Sequence, residues 1–326
     1  MSELAGLGEV VERLPLAGHV GKSGAGLERV RTADGMSYVV KRTTVESDLL
    51  HALLGGGPAR EYLLWRDGAL DRLPPGVTHA LVDAWCEGDT TVIVMRDLGD
   101  RVLTWEDRLT ARQTGWVMAR VAALHRAFLG AAPAAVAPLE PVLDQFAPHR
   151  IGAVVDSDNP LPALARRGWE LFADLVPDEI AGAVLEVLAD VGPYATKLVA
   201  AGPVTLVHGD LAIVNMALED DDLVLLDWAM PVAAPGALDV ARFVAGCSSV
   251  VGLSREDTIA AYRDAAGPAY EETAMRLALL LGLVWLGWNK ALDAVDHPDP
   301  ATRARERADL DWWVAQARRT LESGVL

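Results

Sequence analysis

The first hundred residues alternate between short hydrophobic runs and glycine-containing turns. The runs are PLAGHV, LERVRTADG and MSYVVKR. Runs of this kind, which are short and either apolar or alternating, are typical of consecutive antiparallel strands. A helix is predicted at Pro58–Arg66, and further strands are predicted at Ala80–Trp85 and Thr91–Met95. The pattern therefore indicates an antiparallel sheet accompanied by one helix.

Later in the chain the hydrophobic pattern takes on a helical period. Leu98-Gly99-Asp100 interrupts the strand pattern, and Trp105–Leu129 then carries apolar residues three and four positions apart, as on one face of a helix. Leu161–Ala201 is long enough for two or more helices. We therefore predict an α+β protein with an antiparallel sheet in residues 1–98 and a mostly helical region in residues 99–326.

A short β-hairpin is expected within the helical region. Thr205–Val207, Met216–Ala217 and Leu223–Leu226 are apolar and strand-like, and the polar segment Glu219–Asp222 forms the turn between the last two. The preceding strand and the hairpin enclose two unusual segments, HGDLAIVN and LLDW.

The composition limits the classes of function. Of the 326 residues 51% are hydrophobic, which indicates a folded protein. The chain has 29 Lys and Arg residues against 46 Asp and Glu residues, a net charge of −17. Such a surface repels phosphate backbones, so no nucleic-acid partner is expected. It attracts cationic small molecules, although an acidic surface also serves solubility.

The cysteines and the most apolar segment indicate a cytoplasmic protein. Cys86 and Cys247 have no CxxC spacing, and we expect reduced thiols. The N-terminus lacks a basic stretch followed by an apolar run, so no signal peptide is predicted. The apolar segment Leu277–Trp288 is shorter than the roughly 20 residues needed to cross a bilayer. We expect it to be a buried core helix, without a membrane partner.

Three oxygen-bearing side chains follow hydrophobic strands at residues 208–227. His208-Gly209-Asp210 follows the strand TLV, Asn215 comes five residues after Asp210, and Asp227 ends the run LVLL. A polar side chain at the end of a strand is favourable when it faces a cleft. Asn215 and Asp227 could share a Mg²⁺ ion, since Mg²⁺ prefers oxygen ligands and substrate phosphates. Asp210 would then remain to accept a proton or to orient a hydroxyl group.

This set of residues resembles the aminoglycoside phosphotransferase and choline kinase-like superfamily of small-molecule kinases. Protein kinases have His-Arg-Asp, four residues and Asn in their catalytic loop. Here Gly209 replaces the Arg, and Asp-Trp replaces Asp-Phe-Gly. The resemblance implies a protein kinase-like fold of two lobes, with an antiparallel-sheet N-lobe (residues 1–98) and a mostly helical C-lobe (residues 99–326).

The resemblance also implies a nucleotide site in the N-lobe. Lys41 ends the strand MSYVVK, as the phosphate-contacting Lys of kinases does, and Glu61 lies on the helix that follows. An ion pair between Lys41 and Glu61 would direct the ammonium toward the ATP phosphates. Between the lobes, VIVMRDLGD resembles the kinase hinge, so adenine is expected to contact the main chain from about Arg96 to Leu98, with Met95 near the gatekeeper position.

The glycine-rich segment GHVGKSGAG, residues 18–26, has the position of the loop that covers the phosphates in kinases. Its Gly-Lys-Ser is not a Walker A motif, because Leu16 occupies the place of the required first glycine and a strand follows. We expect Ser23 and Gly24 to contact the nucleotide.

The resemblance implies transfer of a phosphoryl group from ATP to a hydroxyl group of a small molecule. Asp210 would be the catalytic residue, Asn215 and Asp227 would bind Mg²⁺, and His208 would orient the loop. The acceptor is expected to be an amino sugar, an aminoglycoside-like compound or an amine-bearing metabolite. Candidate acceptor-binding residues are Asp144, Asp239, Glu271, Glu272, Trp285, Trp288 and Asn289, each with a structural alternative. His125 and Asp239 are better interpreted as structural.

Two alternatives remain at this stage. A protein kinase is disfavoured, because the chain has no recognisable activation segment ending in Ala-Pro-Glu. A pseudokinase that only binds nucleotide is disfavoured, because Lys41, Asp210, Asn215 and Asp227 are all present.

Overall fold

The computed structural model of the protein describes residues 7–16, 25–154 and 159–325. Its strands are β1 (Val10–Pro15), β2 (Gly26–Thr32), β3 (Ser37–Thr43), β4 (Val77–His79), β5 (Leu81–Glu87), β6 (Thr90–Arg96), β7 (Val204–Val207), β8 (Met216–Glu219), β9 (Asp222–Leu225) and β10 (Val232–Pro235). Its helices are α1 (Leu49–Leu53), α2 (Arg60–Arg66), α3 (Ala111–Ala127), α4 (Leu139–Leu143), α5 (Pro148–Gly152), α6 (Leu161–Leu175), α7 (Asp178–Ala189), α8 (Gly192–Ala200), α9 (Ala237–Cys247), α10 (Arg255–Ala266), α11 (Glu272–Asp296) and α12 (Pro300–Glu322).

Five strands near the start of the chain form one antiparallel sheet in the order β1-β2-β3-β6-β5. Val30 and Val40, on neighbouring strands, point to a small buried cluster on one face. The turn at Ala33-Asp34-Gly35 joins β2 to β3: Gly35 has a φ of +85°, and the Asp34 carboxylate accepts a hydrogen bond from Thr32. A turn with positive φ favours glycine because an L side chain is strained there.

The first strand lies earlier in the chain than the sequence pattern indicated. The run PLAGHV was expected to be a strand, but β1 ends at Pro15, and residues 17–20 lie outside the described part of the chain. β1 is an edge strand with mostly exposed side chains. It therefore has no buried face, and alternating hydrophobicity does not reveal it.

The long helix predicted at Trp105–Leu129 begins six residues later than expected. Thr110 caps α3 by accepting a hydrogen bond from the Gln113 amide, and the Gln113 side chain accepts one from the Thr110 amide. This reciprocal capping box defines a helix start that hydrophobic spacing does not show. The segment between β6 and α3 is consequently a loop, and it carries Trp105.

A three-stranded sheet joins the two parts of the chain. β8 and β9 form the predicted hairpin, whose tight turn consists of Asp220 and Asp221. β4 pairs with β9 in parallel, with Val77 opposite Leu223 and His79 opposite Leu225. A second pair, β7 with β10, lies in a separate two-stranded sheet. The proposed boundary at residue 98 stays a prediction, and β4 shows that backbone hydrogen bonds connect the residues on either side of it.

The core of the helical part is built around α11. This helix has 25 residues, so it is longer than the apolar segment Leu277–Trp288. Within the described chain it alone is long and apolar enough to cross a membrane, by length and composition only, and 67% of its most apolar stretch is buried. It packs against α6, α9 and α12. Burial on several sides is the packing of a core helix.

Glycines allow α6 and α11 to approach closely. A β-carbon at Gly168 of α6 would overlap the carbonyl oxygen of Trp288, and one at Gly287 of α11 would lie 2.8 Å from the Phe172 ring. A backbone carbonyl cannot move aside as a flexible side chain can. The separation of the two helices is therefore set by the absence of side chains at these positions.

We expect Gly168→Ala to lower the free energy of unfolding by about 2 kcal/mol, because the added methyl forces α6 away from α11. The matched control is Gly182→Ala on α7, where nothing lies within 4 Å of an added β-carbon. At position 182 alanine should raise the free energy of unfolding by roughly 0.5–1 kcal/mol, because its helix propensity is better than that of glycine. Urea unfolding of both variants measures the difference, and equal effects would contradict the packing argument.

Candidate active site

A buried lysine connects two carboxylates from distant parts of the chain. The Lys41 ammonium on β3 lies 2.9 Å from Oε2 of Glu61 on α2 and 2.7 Å from Oδ1 of Asp227, which follows β9. Glu61 is only 1% exposed, whereas the side chain of Asp227 is 45% exposed. The ion pair expected between Lys41 and Glu61 is present, and Asp227 extends it to the hairpin.

The charges of this triad depend on one another. Burial opposes the ammonium form, but Asp227 and Glu61 together raise the pKa of Lys41 well above its usual range. Burial raises the pKa of Glu61, and the Lys41 ammonium offsets only part of that effect. The protein surroundings disfavour ionised Asp227, but Lys41 outweighs them and lowers its pKa. Lys41 is therefore held as a cation, and Asp227 as an anion.

Backbone conformation explains the glycine in His208-Gly209-Asp210. Gly209 has a φ of +84°, and a β-carbon there would overlap the carbonyl oxygen of Met230. An arginine, as in protein kinases, is excluded by this close approach of the chain after Asp227. Asp227 itself has a φ of +58°, in the left-handed region that few non-glycine residues adopt. Strain of this kind persists where the surrounding structure holds the residue firmly.

A buried carboxylate fixes the segment that carries Asp210. Asp239 on α9 is fully buried and accepts hydrogen bonds from the backbone amides of His208 (2.8 Å) and Gly209 (2.9 Å). It also lies 3.1 Å from Nε2 of His125 on α3. Since a carboxylate only accepts, His125 donates through Nε2, and its Nδ1 accepts from the Tyr262 hydroxyl at 2.8 Å. Both His125 and Asp239 thus have the structural contacts that the sequence analysis favoured.

Asp210 is held by two side chains from different elements. Its Oδ1 lies 2.6 Å from the Arg242 guanidinium, and its Oδ2 accepts a hydrogen bond from the Asn215 amide nitrogen at 3.0 Å. Asn215 also donates to the Asp210 carbonyl oxygen at 2.9 Å. The His208 ring packs at a tilt against Trp228 and lies 2.9 Å from the Leu226 carbonyl oxygen, so it links the loop to the hairpin.

Arg242 is a site residue that sequence analysis missed. It lies on α9, three positions after Asp239 in the segment GALDVARF. Residues three apart on a helix share a face, so an arginine there faces the loop that Asp239 braces. The Arg242 guanidinium also lies 6.0 Å from the ring centre of Trp285. Trp285 and Trp288 are buried at 2% and 4% exposure, which is core packing.

The oxygen atoms fit a magnesium ion bound together with a nucleotide. Asn215 uses its amide nitrogen for Asp210, so its amide oxygen remains for a cation. The Leu226 amide donates to the Asn215 carbonyl oxygen at 2.9 Å, which brings Asp227 next to Asn215 along the hairpin. Within the described residues no group of three or more His, Cys, Asp or Glu residues could hold a metal. One carboxylate and one amide are too few for an all-protein site, but they suit Mg²⁺ that also binds phosphates.

The expected nucleotide-binding backbone is partly occupied by internal hydrogen bonds. The Arg96 amide donates to the Ala80 carbonyl oxygen, and the Leu98 carbonyl oxygen accepts from the Arg101 amide. The Arg96 side chain pairs with Glu219 at 3.0 Å. Ser23 and Gly24 lie outside the described residues. Nucleotide binding by these four residues stays a prediction.

Asp144, Glu272 and Asn289, three of the candidate acceptor-binding residues, have partners within the protein. Asp144 pairs with Arg150 at 3.0 Å, and burial raises its pKa. Glu272 accepts a hydrogen bond from the Tyr270 hydroxyl, and Glu271 is exposed at the start of α11. Asn289 donates to Asp293 on the same helix.

Several solved structures have the same fold. A spectinomycin phosphotransferase, solved with ADP and spectinomycin, is 12% identical with a TM-score of 0.52 over 96% of this chain and 94% of that chain. An aminoglycoside-3'-phosphotransferase of type VIII is 17% identical, with a TM-score of 0.53 over 83% and 93% of the two chains. The choline kinase LicA of Streptococcus pneumoniae is 13% identical, with a TM-score of 0.52 over 95% of each. The predicted α+β, protein kinase-like fold is confirmed.

Sequence comparison adds the family. No curated protein matches the chain. The model of the phosphotransferase enzyme family matches residues 57–276, which is more than half of the chain and includes Glu61, Asp210, Asn215, Asp227 and Arg242. The resemblance found in the catalytic-loop motif is confirmed: the chain belongs to the phosphotransferase enzyme family.

Proposed function

We propose that this phosphotransferase transfers the terminal phosphoryl group of ATP to a hydroxyl group of an amine-bearing small molecule. The contact of Lys41 with both Glu61 and Asp227 carries the proposal, because it unites residues from three separate segments at one point. Such a group of charges has a role in positioning phosphates and has no comparable value for the stability of a sheet.

The donor side of the reaction is assigned to Lys41, Asn215 and Asp227. Lys41 would exchange its contact with Asp227 for the α- and β-phosphates of ATP, while Glu61 keeps the ammonium in place. Asn215 and Asp227 would hold Mg²⁺, which neutralises phosphate charge when bound. Arg96, Leu98, Ser23 and Gly24 are proposed to contact the rest of the nucleotide.

Asp210 is assigned to the acceptor hydroxyl. Its carboxylate would accept a hydrogen bond from that hydroxyl group and take the proton late in the transfer, so a strong base is not needed. Arg242 and Asn215 each contact one of its oxygens, and this fixes the direction of the remaining lone pairs. Precise orientation of this kind accounts for a large part of catalysis in phosphoryl transfer.

The charge of the protein and its relatives support an amine-bearing acceptor. The net charge of −17 favours cations near the surface. Two of the similar structures are an aminoglycoside phosphotransferase and a choline kinase, whose named substrates carry cationic nitrogen. The use of ATP and the free thiols of Cys86 and Cys247 support a cytoplasmic location.

We expect Asp210→Asn and Asp227→Asn each to reduce phosphoryl transfer by at least about 100-fold, because the first removes the proton acceptor and the second a metal ligand. ADP release would be measured against a panel of amino sugars, aminoglycosides and choline. The control is Asp221→Asn, the same change at an exposed position of the same hairpin. Normal turnover in either active-site variant would overturn the assignment. ATP binding without turnover in the wild-type protein would instead indicate a binding module.

Arg242→Met is expected to lower kcat by about 10- to 100-fold while the KM for ATP changes by less than about twofold, since misorientation of Asp210 affects the reacting centre alone. Arg242→Lys should recover part of the loss, because it restores the charge without the planar guanidinium. Steady-state kinetics and thermal unfolding of both variants would be compared with Arg263→Met, which changes an exposed arginine on α10. An unchanged kcat in Arg242→Met contradicts a positioning role.

A further inference from the structure

Trp105 is a large apolar side chain that the fold leaves in contact with solvent. It is 48% exposed. Five other tryptophans are exposed by no more than 5%: Trp169, Trp228, Trp285, Trp288 and Trp313. An exposed indole loses the free energy that its burial would contribute. The exposed indole therefore contributes little to stability, and its position near Asp210 suggests a binding role.

The loop that carries Trp105 is held at both ends. The Leu103 amide donates to the carbonyl oxygen of Met216, the residue directly after Asn215, at 2.9 Å. At the other end the Leu109 amide donates to the Val250 carbonyl oxygen at 3.0 Å, just beyond α9. The loop therefore runs from the β8–β9 hairpin to the residues that follow α9.

Hydrogen bonds within the loop fix its shape. The Asp107 carboxylate accepts from the Thr104 amide at 2.7 Å and from its hydroxyl at 2.8 Å. The Arg108 guanidinium donates to the carbonyl oxygens of Trp105 and Asp107. The exposed indole is thus attached to a backbone segment that hydrogen bonds hold in one conformation, so its ring lies at a defined place.

That place is one side chain away from Asp210. The end of the Trp105 ring, atom Cη2, lies 3.9 Å from the point that a β-carbon of Gly246 would occupy, and the Arg242 guanidinium overlaps that same point. Arg242 in turn contacts Asp210 at 2.6 Å. The next residue of α9, Cys247, accepts a hydrogen bond from the Ile213 amide of the catalytic loop at 3.2 Å.

The indole lies on the α9 side of Asp210, whereas Lys41 and Asp227 mark the donor side. In the proposed function the acceptor hydroxyl lies between the Asp210 carboxylate and the donor phosphate, so a side chain that approaches Asp210 from α9 lies beside the acceptor. The next two residues, Glu106 and Asp107, are exposed acids, and hydrogen bonds from Thr104 lower the pKa of Asp107. Arg108 is directed to backbone carbonyl oxygens. An aromatic face with carboxylates beside it suits a cation.

We propose that Trp105 forms one wall of the acceptor site and binds a cationic acceptor against its indole face. The proposal rests on the proposed function, and it assigns a binding residue to the acceptor half of the same site. Gly246 is part of it, because a side chain there would separate Trp105 from Arg242. Stacking and cation–π contact act on acceptor affinity, and they leave the nucleotide unaffected.

The test compares Trp105→Ala and Trp105→Phe with the wild-type protein, using spectinomycin, glucosamine and choline as probes. For each probe that the wild-type protein phosphorylates, Trp105→Ala should raise the KM about tenfold, equivalent to about 1.4 kcal/mol. Trp105→Phe should retain most of the affinity. The kcat at saturating acceptor and the KM for ATP should stay within about twofold. Met36→Ala, which truncates a side chain that is 53% exposed in the β2–β3 turn, is the matched control.

Calorimetric titration of the probes without ATP separates this proposal from the proposed function. If the wild-type protein binds a probe but releases no ADP, the proposed transfer fails, and the affinity lost in Trp105→Ala still decides the role of the indole. Equal affinity of the wild-type protein and Trp105→Ala overturns the proposal, as does a change confined to the KM for ATP. If the wild-type protein binds none of the probes, the assignment of a cationic acceptor is overturned.

Discussion

The carboxylate of Asp239 holds the segment His208-Gly209-Asp210 through the backbone amides of His208 and Gly209, and the orientation of Asp210 depends on it. A buried carboxylate is costly unless its oxygens have partners. Here they have two amides and the imidazole of His125, which the Tyr262 hydroxyl completes. Burial raises the pKa of Tyr262, so the hydroxyl keeps the proton that it donates. A network of this kind is stable only when every member is in place.

Two kinds of feature could be predicted from the sequence: elements with a regular hydrophobic pattern, and site motifs that need particular residue types. Short apolar strands, the hairpin and the helical second half follow from hydrophobic periodicity. The contact of Lys41 with Glu61 was predictable because the motifs occur in the same order as in kinases, whose known fold brings the two residues together. The capping box at Thr110 and Gln113 was also visible in the sequence, but a longer apolar pattern concealed it. A prediction from periodicity extends a helix as far as the apolar pattern continues, whereas the capping residues mark where the helix begins.

Other features could not be predicted, because they arise from contacts between distant segments. β1 is an exposed edge strand without a buried face, so its residues carry no alternating pattern. The pairing of Arg242 with Asp210 depends on how α9 lies against the segment that carries Asp210. The apolar pattern of the sequence places Trp105 in a helix, where a large apolar residue is ordinarily part of the core. Its exposure depends on the anchoring of its loop at Met216 and Val250.

The parallel pairing of β4 with β9 has a consequence for biosynthesis. Val77 finds its strand partner only when Leu223 has left the ribosome. Until then the backbone groups of β4 on that side have no strand to bond, although the residues that form the first sheet are already available. Contacts with so large a separation in sequence form late and slow folding. In the nascent chain β4 therefore stays an unpaired strand, and unpaired strands are the kind of surface on which chaperones act.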